Sequence, residues 1–278
     1  MTALRLPGGE LTLDEPRIMG ILNASPDSFS DPGARSLDGY VRRAEELRER
    51  GAAIVDIGGE SARTDRAPIG AEEEVERVVP VIEAVAQRVD VALSVDTWKP
   101  AVARAAVRAG ASIVNDISGL RDEGVAHACA EGGAALVVTH NPGIPKVRAA
   151  EPPAYGDVVR HVTAFLADRV AAARAAGVGE ERIVVDPGPD LHKTPAQTIA
   201  LLARLEELHA LGRPLLLAVS RKDFVGALTL RSPRARLAGT LAAIDDGVRR
   251  GARILRVHDV AEVRAFLTAR GYGTAGGG

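Results

Sequence analysis

A chain of 278 residues, 46% hydrophobic and 26% charged, is long enough to bury a large core, and its formal net charge of -2 lacks the basic footprint of a nucleic-acid binder. No charged start leads into an apolar signal core and no apolar run reaches membrane-spanning length, so a cytoplasmic protein without a membrane partner is expected. Cys129 is the single cysteine and lacks paired-Cys spacing, so it reads as a buried structural thiol.

The chain starts with alternating apolar residues from Leu4 to Leu13 around Gly8-Gly9, a hairpin pattern that could plug the bottom of a barrel. Then comes the apolar run Ile18 to Leu22, ending in Asn23-Ala-Ser-Pro-Asp27-Ser-Phe29-Ser-Asp31. Seven more segments repeat this design of a buried strand with a polar end: Ala52 to Glu60, Val91 to Thr97, Ser112 to Gly119, Ala135 to Asn141, Arg182 to Gly188, Pro214 to Lys222 and Arg253 to Asp259. Stretches rich in Ala, Arg, Glu and Leu lie between them. Helices are predicted from near Leu37 to before Gly51, from Ala71, from Pro100, and from about Val158 to Ala176. The proline-rich stretch Asn141 to Asp157 reads as a long loop rather than a domain linker. Residues 1–272 are expected to form one domain, with 273–278 a disordered tail.

Eight strand-helix units without a break predict an α/β fold, a single (β/α)8 TIM barrel with an N-terminal β-hairpin; such barrels carry their sites on the loops after the strand C-termini. A doubly wound sheet is the alternative, but it gathers its site at one switch point, whereas here every strand end is polar. Dinucleotide, P-loop, hydrolase-elbow and zincin motifs are missing from the sequence. The strand ends supply short acids and an amide (Asp56, Asp96, Asn115, Asp186), suited to the donor edge of a flat heterocycle. They also supply a basic set (Arg63, Lys222, Arg256, His258), suited to a phosphorylated leaving group. Asp56, followed by Ile57-Gly58-Gly59, is expected to tie its strand to the following loop, and His192 and Lys193 to sit on a solvated loop face.

Seven motifs in order, from M-G-I-L-N-A-S-P-D-S-F-S-D (Met19 to Asp31) through D-I-G-G-E-S-A-R (Asp56 to Arg63), S-V-D-T-W-K-P, V-N-D-I-S-G-L, V-D-P-G and S-R-K to R-V-H-D (Arg256 to Asp259), make the chain resemble the dihydropteroate synthase family. The resemblance implies a cytoplasmic, homodimeric barrel that condenses 6-hydroxymethyl-7,8-dihydropterin pyrophosphate with p-aminobenzoate and releases pyrophosphate. It implies that Asp96, Asn115, Asp186 and Lys222 hold the pterin, and that Asn23, Arg63, Arg256 and His258 hold the pyrophosphate. Asn23 would also contact Mg2+. Asn23, Asp27, Asp31, Arg63 and Lys222 would carry the catalytic work.

The departures from the family pattern fall on the amine subsite, for which the resemblance implies Phe29, Ser61, Ala62, Leu191 and Asp223. Ala62 stands where Thr is usual, Pro189-Asp190-Leu191-His192-Lys193 where I-G-F-G-K is usual, and Asp223 where Ser is usual. A carboxylate at Asp223 would repel that of the amine unless Lys222 or Arg221 neutralised it. The alternative reading is therefore a divergent pterin-binding paralogue that uses another amine or none. A corrinoid-linked methyltransferase barrel ranks below both, because it has no need of Arg63 or the R-V-H run.

Overall fold

Eight parallel strands close on themselves in the order β10-β3-β4-β5-β6-β7-β8-β9, the barrel that the repeated strand-helix pattern predicts. The computed structural model describes residues 3–24, 36–60, 67–147 and 153–273. The strands are β3 (Arg17–Asn23), β4 (Ala52–Gly58), β5 (Ala92–Asp96), β6 (Ile113–Asp116), β7 (Ala135–Thr139), β8 (Ile183–Asp186), β9 (Leu215–Leu217) and β10 (Ala252–Val257). They are shorter than the apolar-to-polar segments that announce them. Pro214 to Lys222, for instance, leaves the ladder after Leu217, because Arg221 takes a φ of 60° and the Lys222 N–H turns back to the Val219 carbonyl.

Two cores result from the period-2 alternation of the strands. One row of side chains faces the surrounding helices, as with Val55, Ile57, Val95 and Val114. The other row fills the barrel, where Met19, Ile54, Ile113, Val137, Val184, Leu216 and Ile254 pack together. The antiparallel hairpin of β1 (Ala3–Leu6) and β2 (Gly9–Thr12) contributes Leu4, Leu6 and Leu13 to this inner cluster and turns at Gly8, whose φ is 80°. The predicted plug is thus in place. Cys129, fully buried and with its thiol pushed up to about 12 by burial, is structural as expected.

The helices start and stop where local chemistry dictates. In α1 (Leu37–Glu49) the Ser36 hydroxyl accepts from the Gly39 N–H; in α5 (Val158–Ala175) the Asp157 carboxylate accepts from Val159 and Arg160. α2 (Ala71–Ala86) opens on Glu72, Glu73 and Glu74 at the positive end of its dipole, and α3 (Pro100–Ala109) opens on proline and ends at left-handed Gly110. α4 (Gly124–Gly132) is the short helix between β6 and β7, and α6 (Pro195–Leu202) has a full Thr194–Gln197 capping box. Two helices, α7 (Asp223–Thr229) and α8 (Leu237–Arg249), separate β9 from β10, and α9 (Val260–Ala269) follows β10.

Candidate active site

The row that is apolar deep in the barrel becomes polar at the strand C-termini. On β4, Ile54 is followed two residues on by Asp56; on β6, Ile113 by Asn115; on β8, Val184 by Asp186; on β10, Ile254 by Arg256 and then His258. Sequence spacing alone therefore turns these side chains into the mouth. Asn23 ends β3 in the same row as Met19 and is half-buried.

Arg256 spans the mouth. Its Nε donates to Asp56 Oδ2 at 2.7 Å and its Nη2 to Asp96 Oδ2 at 2.6 Å, while Asn115 Nδ2 donates to the same Asp56 oxygen at 3.2 Å. Asp56 is fully buried, and its Oδ1 lacks a partner among the described residues. Asp56 thus ties three strands together across the mouth, rather than tying β4 to its own loop as expected. The reason is closure, which brings residues 200 positions apart into contact. Burial raises the Asp96 carboxyl to about 7 even with the Arg256 guanidinium pulling the other way.

Asp186, at the end of β8, is 5% exposed; its Oδ1 accepts from the Gly188 N–H at 2.8 Å, and burial holds its carboxyl above the usual range. Lys222 reaches over from the turn after β9, and its Nζ donates to the Pro189 carbonyl at 2.6 Å; burial lowers its pKa against the pull of Asp186. At the end of β10 the Ser220 hydroxyl oxygen accepts from the His258 backbone N–H at 3.3 Å and lies 3.0 Å from His258 Nδ1. The hydroxyl, with one proton and two lone pairs, can serve either tautomer of the ring, so the contact fixes the orientation of the imidazole. Desolvation by the barrel wall, then Arg256 and Arg221, push His258 below its usual pKa, so it offers an N–H rather than a charge.

The sequence from Met19 to His258 matches the model of a family described as "Pterin binding enzyme". The chain belongs to the pterin binding enzyme family. It is 43% identical to the dihydropteroate synthase of Escherichia coli (strain K12) over 271 residues, covering 95% of this chain and 96% of that one. It is 42% identical to that of Bacillus subtilis (strain 168), covering 88% and 84%. Among solved structures, Xanthomonas albilineans dihydropteroate synthase with 4-aminobenzoic acid superposes with a TM-score of 0.89 at 44% identity, over 97% of each chain. The Yersinia pestis enzyme in a sulfonamide drug complex gives 0.90 at 40% identity, over 96% of this chain and 97% of that one.

In this pterin binding enzyme the loop after β8 carries most of the departures noted in the sequence. Asp190 and His192, at the two positions where the resemblance implies glycine, have left-handed backbones, with φ of 63° and 50°. The Asp190 carboxylate is anchored, accepting from Thr198 Oγ1 at 3.1 Å and from the Phe224 N–H at the start of α7 at 3.1 Å. Lys193 is not on a solvated face as expected. It is 5% exposed, and its Nζ donates to the Gly188 carbonyl (2.8 Å), the Leu191 carbonyl (3.1 Å) and His140 Nδ1 (2.8 Å). Burial, then Lys222, lower the Lys193 ammonium to about 7, and burial, then Lys193, lower the His140 imidazole to about 2. His192 is half-buried, its ring occupying the space that a Cβ on Gly143 would need, while the Tyr155 hydroxyl donates to its carbonyl at 3.0 Å. Leu191 is half-buried on the same loop.

Asp223 is exposed, and its carboxylate pairs with Arg236 Nη1 at 3.0 Å. The neutralising residue is neither Lys222 nor Arg221, as expected from sequence proximity. Lys222 is engaged by Pro189 and Arg221 by Asp259, whereas the turn before α8 brings Arg236 to the carbonyls of Arg221 and Lys222 as well as to Asp223. Asp27, Phe29, Asp31, Ser61, Ala62 and Arg63 lie outside the described residues.

Proposed function

We propose that this chain condenses 6-hydroxymethyl-7,8-dihydropterin pyrophosphate with p-aminobenzoate, giving dihydropteroate and pyrophosphate. The observation that carries the reading is a single mouth lined by the carboxylates and amide of Asp96, Asn115 and Asp186 together with the cations of Lys222 and Arg256. Asp186 and Asp96 would accept from the ring N–H and exocyclic amine of a pterin, with Asn115 and Lys222 completing the polar edge. Asp186 Oδ1 already accepts from Gly188, while no donor among the described residues reaches Oδ2. Arg256, spending Nε and Nη2 on Asp56 and Asp96, keeps Nη1 for a phosphate oxygen, and His258 would add Nε2–H in the tautomer whose Nδ1 accepts from Ser220. In this reading Asn23 and Arg63 would complete the pyrophosphate side, Asp27 and Asp31 would share the catalytic work, and Phe29, Ser61, Ala62, Leu191 and Asp223 would form the amine subsite.

The reaction breaks the bond between the pterin methylene carbon and the pyrophosphate oxygen, which leaves with the electron pair. The carbon's positive charge spreads into the reduced ring, the aryl amine attacks it, and the amine then sheds a proton. The chain's task is to hold the leaving charge against preorganised donors and to keep water from the cation. Among the described residues no three His, Cys, Asp or Glu are grouped to hold a metal. Mg2+, a hard ion that commonly binds through phosphate oxygens with few protein ligands, would be held by the substrate's phosphates and the Asn23 amide oxygen in this reading. Bound Mg2+ would neutralise charge on the leaving pyrophosphate.

The pairing of Asp223 with Arg236 supports p-aminobenzoate as the amine, since the carboxylate that would repel it is already neutralised. Pyrophosphate release from the pterin pyrophosphate, measured with and without p-aminobenzoate, tests the reading. Release that depends on the amine is expected; no release in either case would favour the paralogue reading. A homodimer working in the cytoplasm belongs to the same proposal, and light scattering on the purified protein checks the dimer. Among the described residues no helix is long and apolar enough to cross a membrane.

A further inference from the structure

Lys193 is buried beside the mouth, and the proposed reaction gives it no part. Its Nζ donates to three acceptors, the carbonyls of Gly188 at 2.8 Å and Leu191 at 3.1 Å and the Nδ1 of His140 at 2.8 Å. The two carbonyls belong to the loop after β8, and His140 follows β7. The loop is thus folded around a single ammonium. Its backbone is left-handed at Gly188, Asp190 and His192, with φ of 63°, 63° and 50°, and the last two carry side chains that disfavour such a conformation. A strained shape of this kind persists only where its surroundings over-determine it. His140 supplies the fixed end, because its N–H donates to the Asp186 carbonyl at 2.8 Å while its ring takes the ammonium.

What the loop supports lies on the pterin side. Gly188 gives its carbonyl to Lys193 and its N–H to Asp186 Oδ1, the latter at 2.8 Å. Between the two gripped carbonyls, that of Pro189 accepts from Lys222 Nζ at 2.6 Å. A shift of the loop would therefore turn the Asp186 carboxylate and move the Lys222 ammonium together. Arg256 and His258 are held elsewhere, by Asp56, Asp96 and Ser220.

We infer that Lys193 is a positioning residue for the pterin ring, gripping the Gly188 and Leu191 carbonyls from its anchor on His140 so that the loop aims Asp186 and Lys222. The inference rests on the proposed function for the identity of the ligand, and on the bonds of Lys193, His140 and Gly188 for the geometry. Methionine at position 193 keeps the apolar stem, and the Gly188 carbonyl still accepts from the Leu191 N–H at 3.1 Å, so the barrel is expected to fold. The effect falls on both pterin ligands alike, whether or not they carry pyrophosphate.

The test is Lys193→Met, together with His140→Leu, which removes the anchor's acceptor, and His140→Asn, which keeps one. Calorimetry would compare pterin pyrophosphate with unphosphorylated hydroxymethyldihydropterin, and hydrogen exchange would follow the Gly188 and Leu191 amides. We expect Lys193→Met to weaken both ligands by the same factor, roughly tenfold to a hundredfold, the size of effect that misplacement at a distance produces. His140→Leu should weaken both in the same way but less, and His140→Asn should restore binding close to that of the unmodified protein. Exchange at Gly188 and Leu191 should speed up in Lys193→Met and His140→Leu and not in His140→Asn. Unchanged affinity in the folded variants, or a loss confined to the pyrophosphate ligand, overturns the inference. Should Lys193→Met fail to fold, the two His140 variants decide alone, and equal behaviour of leucine and asparagine there overturns it. If the unmodified protein binds neither ligand, the proposed function fails, and the exchange data still decide whether Lys193 fixes the loop.

Discussion

The strand ends and the loop after β8 both bring polar groups to the mouth, but they hold them by different means. Asp56, Asp96, Asn115 and Arg256 sit on strands whose register is fixed by the closed ladder, and they neutralise one another across it. The loop from Gly188 to Lys193 has no ladder. It is held by single bonds from its own side chains outward, Asp190 to Thr198 and Phe224 and Lys193 to three acceptors, and its backbone is left-handed at Gly188, Asp190 and His192. The difference sets what each region should tolerate. A change on a strand strands a buried charge, whereas a loop can exchange glycine for aspartate if the new side chain finds a partner.

The comparison breaks most visibly at Arg256. Arg256→Ala would leave Asp56 fully buried without its cation, and is expected to cost about 3 to 5 kcal/mol of stability, read from urea denaturation. A loss below about 1 kcal/mol would mean that the strand-borne acids do not depend on one another. Gly188→Ala probes the junction between the two regions. Its Cβ would lie 2.1 Å from the His140 carbonyl oxygen at a φ of 63°, so left-handed strain and overpacking together should remove about 2 to 4 kcal/mol. Within the loop proper, Asp190→Gly relieves the strain at a φ of 63° but gives up two hydrogen bonds. Stability should therefore change by about 1 kcal/mol or less, with a melting temperature near that of the unmodified protein.

One further effect is drawn out by pH. His140 is held neutral in the folded chain, with its pKa lowered from 6.5 to about 2, so below pH 6.5 the unfolded chain takes up a proton that the folded one refuses. Its contribution to stability is complete above pH 6.5 and is lost as the pH falls toward 2. Denaturation midpoints at pH 7 and pH 5 should fall more steeply for the unmodified protein than for His140→Asn, which keeps an acceptor for Lys193; parallel declines would remove His140 as the cause.

The barrel was legible because its signals are local. Apolar runs ending in polar residues, the Gly8-Gly9 turn, Ser36, Pro100 and Asp157 each act within a few residues, and the strands and helices lie where those signals put them. The candidate site was legible as a set of strand ends for the same reason, since a residue two along from a core position faces the same way. Who meets whom was not. Asp56 with Arg256, Glu60 with Lys146 and Asp223 with Arg236 are joined only when the ladder closes or a distant turn swings in, and no spacing encodes that. The burial of Lys193 leaves no local signal, because a lysine in a proline- and aspartate-rich run looks solvated, while the carbonyls that bury it belong to the loop's own left-handed turns.

The leucine hairpin at the foot of the barrel bears on the order in which the molecule is assembled. Leu4 and Leu13 leave the ribosome before any barrel strand, yet the cavity that takes them exists only once β10 has paired with both β3 and β9. During synthesis the hairpin is therefore a sticky apolar ribbon with nowhere to go, at the stage when a long, non-local topology is slowest to form. Its docking is expected to follow barrel closure, although its residues precede every strand of the barrel. A chain lacking residues 1–13 should accordingly reach the barrel's secondary structure at a normal pace but persist as an open-bottomed, aggregation-prone intermediate.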